Sequence, residues 1–353
     1  MKRKVLVLSA GDPAGINFCK SLALQPDRFQ IHGADTDIYR LHLACADSRH
    51  LLPPPGDENY LAALNRLIEE VEPDLLYAAD TNAELIFVSE NRDRINARVF
   101  MPPPAAVTSY ENKFETYLAC REAGITVPET IMLREPADVD RAIADFGEIW
   151  IRATHGSGGS GSLPSSDPML ACAWGERNSG CNRYSATQRL GRKMATWIGL
   201  WDAGRLVTCQ ARKRLHWEYA HLSPSGVSGI TAAQATTDDP KIHEVALATI
   251  EAAAHVPNGV VAVDLTYDND DVPNPTEIQA SRFYTSIYFL ARAGLNFPAQ
   301  FVKLALGDPL DTDLTGTHPL ENDLVWLKTV DAEPILTTAE EVSGNLTRWK
   351  VAQ

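Results

Sequence analysis

The stretch of sequence that decides the fold is VVAVDLTYDNDDVPNPTEIQASR, residues 260–282. Two β-prone runs flank a polar turn in this stretch, and the pattern predicts an antiparallel hairpin. Asp264 and Glu277 are equally far from the centre of the turn, so a simple register makes them direct cross-strand neighbours. Gln279 lies two residues beyond Glu277 and therefore on the same face of the sheet.

Two carboxylates and a carboxamide on one face of a hairpin form an oxygen-only cluster. Oxygen ligands of this kind suit Mg²⁺, which proteins bind with one or two carboxylates together with phosphate oxygens. The alternative is a solvated face with incidental acids, and the hairpin alone leaves both interpretations open. Apolar residues such as Val261, Val263 and Ile278 predict that the opposite face is buried.

A second signal is the glycine-rich loop HGSGGSGS, residues 155–162, which follows a predicted strand at Glu148–Ile151. Backbone amides in such a loop can approach phosphate oxygens because glycine has no obstructing side chain. Arg152 ends the strand and supplies a fixed cation beside the loop. The alternative is a flexible linker, and the loop matches neither the Walker A pattern nor the dinucleotide fingerprint.

The first hundred residues alternate strand and helix signals, which predicts a parallel sheet with ligands at the carboxyl ends of its strands. Predicted elements are the strand Val5–Leu8, the helix Ile16–Leu24, the strand Phe29–Ala34, the helix Tyr60–Val71 and the strand Asp74–Ala78. Gly11–Gly15 and Asp35 imitate part of a nicotinamide-dinucleotide site, but the third glycine is absent, so a substrate crevice is preferred. Candidate substrate residues near a strand end are Tyr77, Asp80 and Glu84.

Beyond a Pro-rich run that ends at Pro104, the pattern predicts a second unit, and we place the boundary near residue 106. A helix is expected at Lys113–Ala123, and hairpins are expected between Tyr184 and Arg214. Further helices are predicted at Ile242–Ala254, Phe283–Ala293 and Phe301–Leu306, with short strands at Leu324–Lys328 and Ile335–Leu336.

Composition limits the function classes. The net charge of −14 argues against nucleic-acid binding, which needs a basic surface. No apolar run approaches the roughly 20 residues that a membrane-spanning helix needs. The six cysteines are scattered without CxxC spacing, which favours free thiols in a reducing compartment. The expected location is therefore the cytoplasm, and the expected partners include neither nucleic acid nor membrane.

In order and spacing, these features resemble the ATP-grasp superfamily, in particular members related to the large subunit of carbamoyl phosphate synthetase. The similarity covers residues 1–306. The motifs that carry it are SYENKF at 109–114, IWIR at 149–152, QRLG at 188–191, Val263-Asp264 and TEIQASRF at 276–283.

The resemblance implies a mixed fold, α/β followed by α+β. A Rossmann-like pre-ATP-grasp domain is expected at 1–105 and a two-subdomain ATP-grasp fold at 106–306, with a lid subdomain at about 148–190. Residues 307–353 are expected to form a C-terminal extension that packs on the ATP-grasp core.

The resemblance also implies roles for individual residues. Lys113 and Arg152 match the two cations that hold the nucleotide, and Gln188 falls near the hinge position that meets adenine. The loop matches the lid over the phosphates, with His155, Gly156, Ser157, Gly158, Gly159 and Ser160 as nucleotide-binding candidates. The expected ligands of two Mg²⁺ ions, for which Mn²⁺ is a substitute, are Asp264, Glu277 and Gln279.

Arg282 matches the basic residue near the transferred phosphoryl group, and with Arg152 it is the expected catalytic residue. Three positions depart from the usual pattern. Lys193 stands where a glutamate commonly binds the ribose hydroxyls, Gln279 replaces an asparagine, and Ala280-Ser281 adds one residue to the final motif.

The implied activity is an ATP-dependent carboxylate–amine ligase that converts Mg-ATP to ADP and phosphate through an acyl phosphate. Its partners would be a small carboxylate and an amine, and a homodimer is common among such proteins. The alternatives are a phosphotransferase of the same fold that stops at the phosphorylated product, and a regulatory module that binds ATP without turnover.

Overall fold

The computed structural model describes residues 2–79, 82–156, 159, 161–178, 182–227, 230–330 and 332–342. Ser157, Gly158, Ser160 and Asp80, which are candidate site residues, lie outside these ranges, as does Cys181. The five cysteines within the ranges are free thiols, as predicted.

The first sheet has four parallel strands: β1 (Arg3–Leu8), β2 (Phe29–Asp35), β3 (Ser48–Leu51) and β4 (Leu75–Ala78), in the order β3-β2-β1-β4. The helices of this unit are α1 (Pro13–Ala23), α2 (Ile38–Leu41), α3 (Tyr60–Val71) and α4 (Asn82–Glu90). Val5–Leu8 is an apolar run that is buried throughout, as expected for a strand of a parallel sheet covered on both faces. The predicted βα alternation is confirmed, and α3 has the predicted bounds.

Two helices, α5 (Pro104–Glu111) and α6 (Lys113–Glu122), follow the first sheet. The predicted boundary near residue 106 falls inside α5. Val107 packs with the core of the first sheet, whereas Ala106 packs with the core of the large sheet described below. Asn112 separates the helices, and its side chain accepts hydrogen bonds from the first two free N–H groups of α6.

A second, antiparallel sheet contains β5 (Thr130–Met132), β6 (Ile149–Ala153), β7 (Leu163–Ser165) and β8 (Tyr184–Gln188), in the order β5-β8-β6-β7. Helices α7 (Pro136–Phe146) and α8 (Pro168–Asn178) pack on it. The sequence predicts β8 as part of the hairpin series that follows it. This pairing is wrong, because β8 pairs with β5 and β6 and the chain crosses to another sheet after Gln188.

The third sheet has eight strands within the described residues. A hairpin forms one edge of this sheet, and the strand Ala332–Thr338 forms the other. Its strands are β9 (Met194–Asp202), β10 (Arg205–Trp217), β11 (Thr231–Thr237), β12 (Gly259–Tyr267), β13 (Pro273–Ala280), β14 (Gly316–Thr317), β15 (Leu324–Thr329) and β16 (Ala332–Thr338). The order is β13-β12-β9-β10-β11-β15-β16, with β14 beside β10. Helices α9 (Pro240–Ala252), α10 (Tyr288–Arg292) and α11 (Phe297–Leu306) complete the described elements, together with single 3-10 turns at Arg92–Arg94, Ala220–Leu222 and Thr312–Leu314.

An aromatic cluster joins the first sheet to the third. Phe18 of α1 stacks on Tyr77 of β4 with ring centroids 4.0 Å apart. The rings of Phe283 and Phe301 pack against the same pair with centroids 5.4 to 6.4 Å away. Residues from both sheets therefore share one buried core rather than two separate ones.

The predicted helix Phe283–Ala293 is wrong over its first half, because α10 spans only Tyr288–Arg292. Ser281 has a left-handed backbone with φ of 63°, which interrupts regular structure after β13. The N–H of Phe283 then donates to Tyr77 Oη at 2.9 Å, a tertiary bond that replaces helical pairing. Among the residues described, no helix is both long and apolar enough to cross a bilayer.

Candidate active site

The hairpin of β12 and β13 has the predicted register, with Asp264 directly opposite Glu277 and Ala262 opposite Gln279. A β-bulge follows Asp264 and shifts the register toward the turn. Asp264 and Glu277 keep 15% and 16% side-chain exposure, so they are accessible to a ligand yet largely removed from bulk water. The three predicted metal ligands therefore lie together on one face.

Asp264 accepts hydrogen bonds from side chains of strands on both sides of β12. Its Oδ1 accepts hydrogen bonds from Thr196 Oγ1 at 2.8 Å and from Arg214 Nη2 at 2.6 Å. Its Oδ2 accepts from Gln279 Nε2 at 3.0 Å. Thr196 and Arg214 were not predicted as site residues, because they lie 68 and 50 residues from Asp264 in the chain and only strand pairing brings them near.

Glu277 is surrounded by nitrogen donors. Gln279 Nε2 donates to Glu277 Oε1 at 3.1 Å. Lys113 Nζ lies 3.4 Å from Glu277 Oε2, and Arg282 Nη2 lies 4.0 Å from Oε1. The two predicted cations from α6 and from the end of β13 thus converge on the same carboxylate.

Glu111 is a buried acid of this cluster that was not predicted. Its Oε2 lies 3.5 Å from Arg282 Nη2, and both side chains are almost fully buried. Burial raises the pKa of Glu111, and Arg282 opposes this shift while the charge of Glu277 adds to it. Its position next to Asn112-Lys113 in the SYENKF motif is the signal that could have identified it.

Arg152 joins the second sheet to the hairpin. It lies near the end of β6, and its Nη1 donates to the backbone oxygen of Thr276 at 2.9 Å. Its buried Nε has no hydrogen-bond partner within the described ranges. Burial lowers the pKa of Arg152, and the nearby charge of Glu277 opposes this shift. The unpaired Nε of the guanidinium is a hydrogen-bond donor that a bound anion could use.

The glycine-rich loop approaches the same cluster through its first residues. Lys113 Nζ donates to the backbone oxygen of Gly156, and Thr154 Oγ1 lies 3.0 Å from Nδ1 of the exposed His155. Gly156, Gly159 and Gly161 have φ of 110°, 69° and 73°, values that residues with a side chain rarely adopt. The loop conformation therefore depends on glycine at these positions.

Gln188 and Lys193 lie away from the acids, on the connection between the second and third sheets. Gln188 is exposed at the end of β8, and its backbone N–H donates to the oxygen of Glu129 at 2.8 Å. Lys193 Nζ pairs with Asp271 Oδ1 at 2.6 Å and lies 4.0 Å above the ring of Tyr267. The ammonium group of Lys193 is thus paired at the exposed tip of the hairpin.

The substrate candidates of the first sheet are structural in part. Tyr77 belongs to the aromatic cluster, and its Oη supports the backbone that follows Arg282. Glu84 is buried and accepts hydrogen bonds from Ser9 Oγ and Tyr60 Oη. Burial raises the pKa of Glu84, which these two hydrogen bonds oppose.

The residues of the hairpin fit Mg²⁺. Two half-buried carboxylates face each other across one strand pair, which is the number of charged ligands that Mg²⁺ takes when phosphate oxygens complete its shell. Gln279 presents its amide nitrogen to both acids, and an amide flip would present its oxygen instead.

The three sheets and the acidic hairpin form the ATP-grasp fold, as the resemblance predicts. Its fold is shared by N5-carboxyaminoimidazole synthetase from Staphylococcus aureus, with a TM-score of 0.71, 13% identity and coverage of 100% of this chain and 99% of that chain. L-amino acid ligase from Bacillus licheniformis has a TM-score of 0.67 and 13% identity, covering 92% of this chain and 79% of that one.

A third structure is the biotin carboxylase domain dimer of the Hydrogenobacter thermophilus 2-oxoglutarate carboxylase, in complex with MgADP, ADP and bicarbonate. Its TM-score is 0.67 at 12% identity, over 92% of this chain and 74% of that chain. No protein-family model matches the sequence, and no curated protein matches it.

Proposed function

We propose that the protein is an ATP-dependent carboxylate–amine ligase that forms an amide through an acyl phosphate. The observation that supports this most is the pairing of Asp264 with Glu277 beside Gln279, with the cations Lys113 and Arg282 within 4.0 Å of the Glu277 carboxylate. Acids that face cations on an accessible sheet surface suit a metal-bound triphosphate. The solved structures with the same fold include an L-amino acid ligase and a biotin carboxylase domain in complex with MgADP, which supports the same assignment.

In the first step, an oxygen of the substrate carboxylate attacks the γ-phosphorus of ATP, the bond from that phosphorus to the bridging oxygen breaks, and ADP leaves. Arg152, Lys113 and Arg282 would bind the phosphates and offset the charge that develops on the transferred group. Mg²⁺ held by Asp264, Glu277 and Gln279 would neutralise the phosphate oxygens. A complement of two ions, and replacement by Mn²⁺, belong to the same proposal.

In the second step, the amine nitrogen attacks the acyl carbon of the acyl phosphate, and the bond from that carbon to the phosphate oxygen breaks. The proton lost by the nitrogen leaves with the phosphate. The glycine-rich loop would cover the intermediate and exclude water, which would otherwise hydrolyse it. The loop residues assigned to this cover are His155–Ser160, joined to the site through Lys113 and Gly156.

The first test is Glu277→Ala in an assay of ADP release over a panel of amino acids and small carboxylates. We expect a loss of at least about 100-fold, about 3 kcal/mol of transition-state stabilisation, because the variant removes a charged ligand. Asp270→Ala is the matched control, since Asp270 is an exposed acid at the turn of the same hairpin. Equal turnover in Glu277→Ala and wild type would mean that the metal assignment is wrong.

The second test addresses the intermediate. A carboxylate labelled with oxygen-18 should transfer one labelled oxygen to the released phosphate, because the acyl phosphate shares that oxygen. Released phosphate without label, formed together with an amide product, would rule out the acyl phosphate.

Regulatory ATP binding is the second candidate, and one observation favours it. The amide nitrogen of Gln279 donates to both Asp264 and Glu277. Arg214 also pairs with Asp264 and Lys113 with Glu277, so the acids have partners without a metal ion. Calorimetric titration of ATP beside the ADP-release assay separates the two candidates. Tight binding of Mg-ATP with no ADP release for any acid and amine pair would favour the regulatory module, and product analysis with and without amines would identify a phosphotransferase.

A further inference from the structure

A cluster of buried hydrogen-bond donors lies beside the acidic hairpin. We call it the donor cluster, and it consists of Arg212, Arg214, Gln234, Tyr284 and Trp326. Each of these residues has a buried donor atom that lacks a hydrogen-bond partner within the described part of the chain: Arg212 Nε, Arg214 Nε, Gln234 Nε2, Tyr284 Oη and Trp326 Nε1. Buried donors are normally paired, because an unpaired one keeps the full cost of its removal from water.

The donor cluster shares a face of the third sheet with the acids. Thr196 on β9 lies directly opposite Asp264 on β12 and directly opposite Arg212 on β10. The next row continues from Arg214 to Gln234 and then to Trp326. Side chains of directly paired residues point to the same face, so the donors form a continuation of the metal-binding surface.

Arg212 carries a buried charge that has only neutral partners among the described residues. Arg212 is 2% exposed, and its guanidinium donates to Gln234 Oε1 and, at 2.6 Å, to Ser286 Oγ. The same group lies 3.5 Å from the ring centroid of Tyr284. No carboxylate lies within ion-pair distance of Arg212 in the described ranges, and a buried unpaired charge is costly unless a ligand completes it.

Lys328 is a second cation beside the donor cluster, and it is more exposed than Arg212. Lys328 follows Trp326 by two residues on β15, at an irregularity in the pairing with β16; it is half-buried, and its charge interacts with that of Arg212. Burial, together with the charges of Arg212 and Lys20, lowers the pKa of Lys328 to about 8, and Glu218 opposes this shift. Lys20 is also half-buried, so positive charge accumulates at this end of the sheet.

These observations suit an oxyanion, whose several lone pairs accept from many donors at once. Arg212 lies on β10, two strands and therefore about 10 Å from Asp264 on β12. Arg214 reaches Asp264 itself, whereas the guanidinium of Arg212 contacts Gln234, Ser286 and the ring of Tyr284. A group bound at Arg212 therefore lies farther from the acids than Arg214 does. We propose that the donor cluster binds a second acidic group of the substrate, a carboxylate or a phosphate monoester, distant from the carboxylate that is activated. This inference rests on the proposed ligase function, and it assigns the substrate to the class of diacids.

The test measures binding without nucleotide, by calorimetry, with three probes: glutarate as a dicarboxylate, butyrate as a matched monocarboxylate, and inorganic phosphate. The variants are Arg212→Gln and Lys328→Gln. Lys213→Gln is the control, because Lys213 is the next residue on β10 and points to the opposite face. Lys328→Gln, at a half-buried position, keeps the test informative where Arg212→Gln fails to fold.

We expect glutarate or phosphate to bind at least tenfold more tightly than butyrate. Each of the two variants should weaken that binding by tenfold or more, and Lys213→Gln should change it less than twofold. Tighter binding of glutarate assigns a second carboxylate, and tighter binding of phosphate assigns a phosphate monoester. The proposal is overturned if neither anion binds below 10 mM, or if both variants bind them as the wild type does.

The outcome is separable from the ligase proposal. If anions bind in a manner that depends on Arg212 but no acid stimulates ADP release, the anion site at the donor cluster is supported and the ligase proposal is rejected. ADP release with monocarboxylates, at rates that Arg212→Gln does not change, would keep the ligase and reject the donor cluster.

Discussion

At the scale of single residues, the position of Asp264 depends on neighbours that carry no catalytic charge themselves. Thr196 is fully buried, and its hydroxyl donates to the carboxylate that Arg214 contacts from the next strand. A hydrogen bond to a charged group is stronger than one between neutral groups. Thr196 is therefore a positioning residue for the proposed metal ligand.

Thr196→Val should weaken the response to Mg²⁺. The variant keeps the size of the side chain and removes one hydrogen bond to Asp264, about 1 kcal/mol or about a fivefold rise in the Mg²⁺ concentration for half-maximal ADP release. Thr208→Val is the control, because Thr208 is equally buried on the same sheet and its hydroxyl has no hydrogen-bond partner in the described ranges. An equal Mg²⁺ response in the two variants would show that the hydroxyl of Thr196 does not position Asp264.

Some residues of the cluster could be predicted from the sequence, and others could not. Asp264, Glu277 and Gln279 share one hairpin, so their proximity follows from the symmetry of a short turn. Arg214, Thr196 and the donor cluster come from strands that are not consecutive in the chain. Their neighbours depend on the order of strands in the sheet, which local pattern does not determine.

At the scale of elements, the glycine-rich loop is shaped by close contacts as well as by backbone angles. A Cβ atom on Gly161 would lie 2.5 Å from Tyr184 Oη, well inside van der Waals contact. The backbone oxygen of Gly161 also accepts a hydrogen bond from Trp174 Nε1 at 2.8 Å. The loop is therefore anchored at Gly161 to the second sheet and to α8.

Gly161→Ala should displace this anchor. We expect the free energy of unfolding to fall by about 1–3 kcal/mol, because the variant combines a left-handed backbone with a steric clash, and the KM for ATP to rise. Gly175→Ala is the control, since Gly175 lies in α8 with no atom within 4 Å of an added Cβ, where alanine favours the helix. Urea unfolding and ATP-dependent kinetics measure both effects. A Gly161→Ala protein with wild-type stability and KM would contradict the anchor.

The elements also show where local pattern fails. The strands β1, β2 and β12 and the helix α3 lie within a few residues of their predicted ends, because each has a clear apolar period. Residues 283–287 also include large apolar side chains, but they form a mostly buried loop. The bond from the N–H of Phe283 to Tyr77 decides this, and the two residues are 206 positions apart.

At the scale of the whole molecule, stability should depend on pH through a half-buried histidine. Burial lowers the pKa of His318 from 6.5 to about 4, and the neighbouring His243 adds to the shift while Asp238 opposes it. The folded protein keeps this ring neutral between the two values, whereas the unfolded chain takes up a proton. The free energy of unfolding should therefore fall as the pH decreases from 6.5 toward 4, by at most about 3 kcal/mol.

His318→Gln should flatten that part of the stability profile. The measurement is urea unfolding at several pH values between 4 and 7. His221→Gln is the control, because His221 is exposed on a loop and should leave the slope unchanged. A slope that is the same in His318→Gln and wild type would assign the pH dependence to other groups, among them His243, whose pKa burial also lowers.

The acids of the hairpin already have cations of the protein itself at their sides: Arg214 at Asp264 and Lys113 at Glu277. These internal counter-ions offset the repulsion between the two carboxylates when no divalent ion is bound. Chelation should therefore produce an inactive but folded protein with an unchanged melting temperature, and adding back magnesium should revive it fully. Chelation would therefore abolish activity reversibly without unfolding the protein. Zinc-dependent folds, in contrast, unfold when the metal is removed.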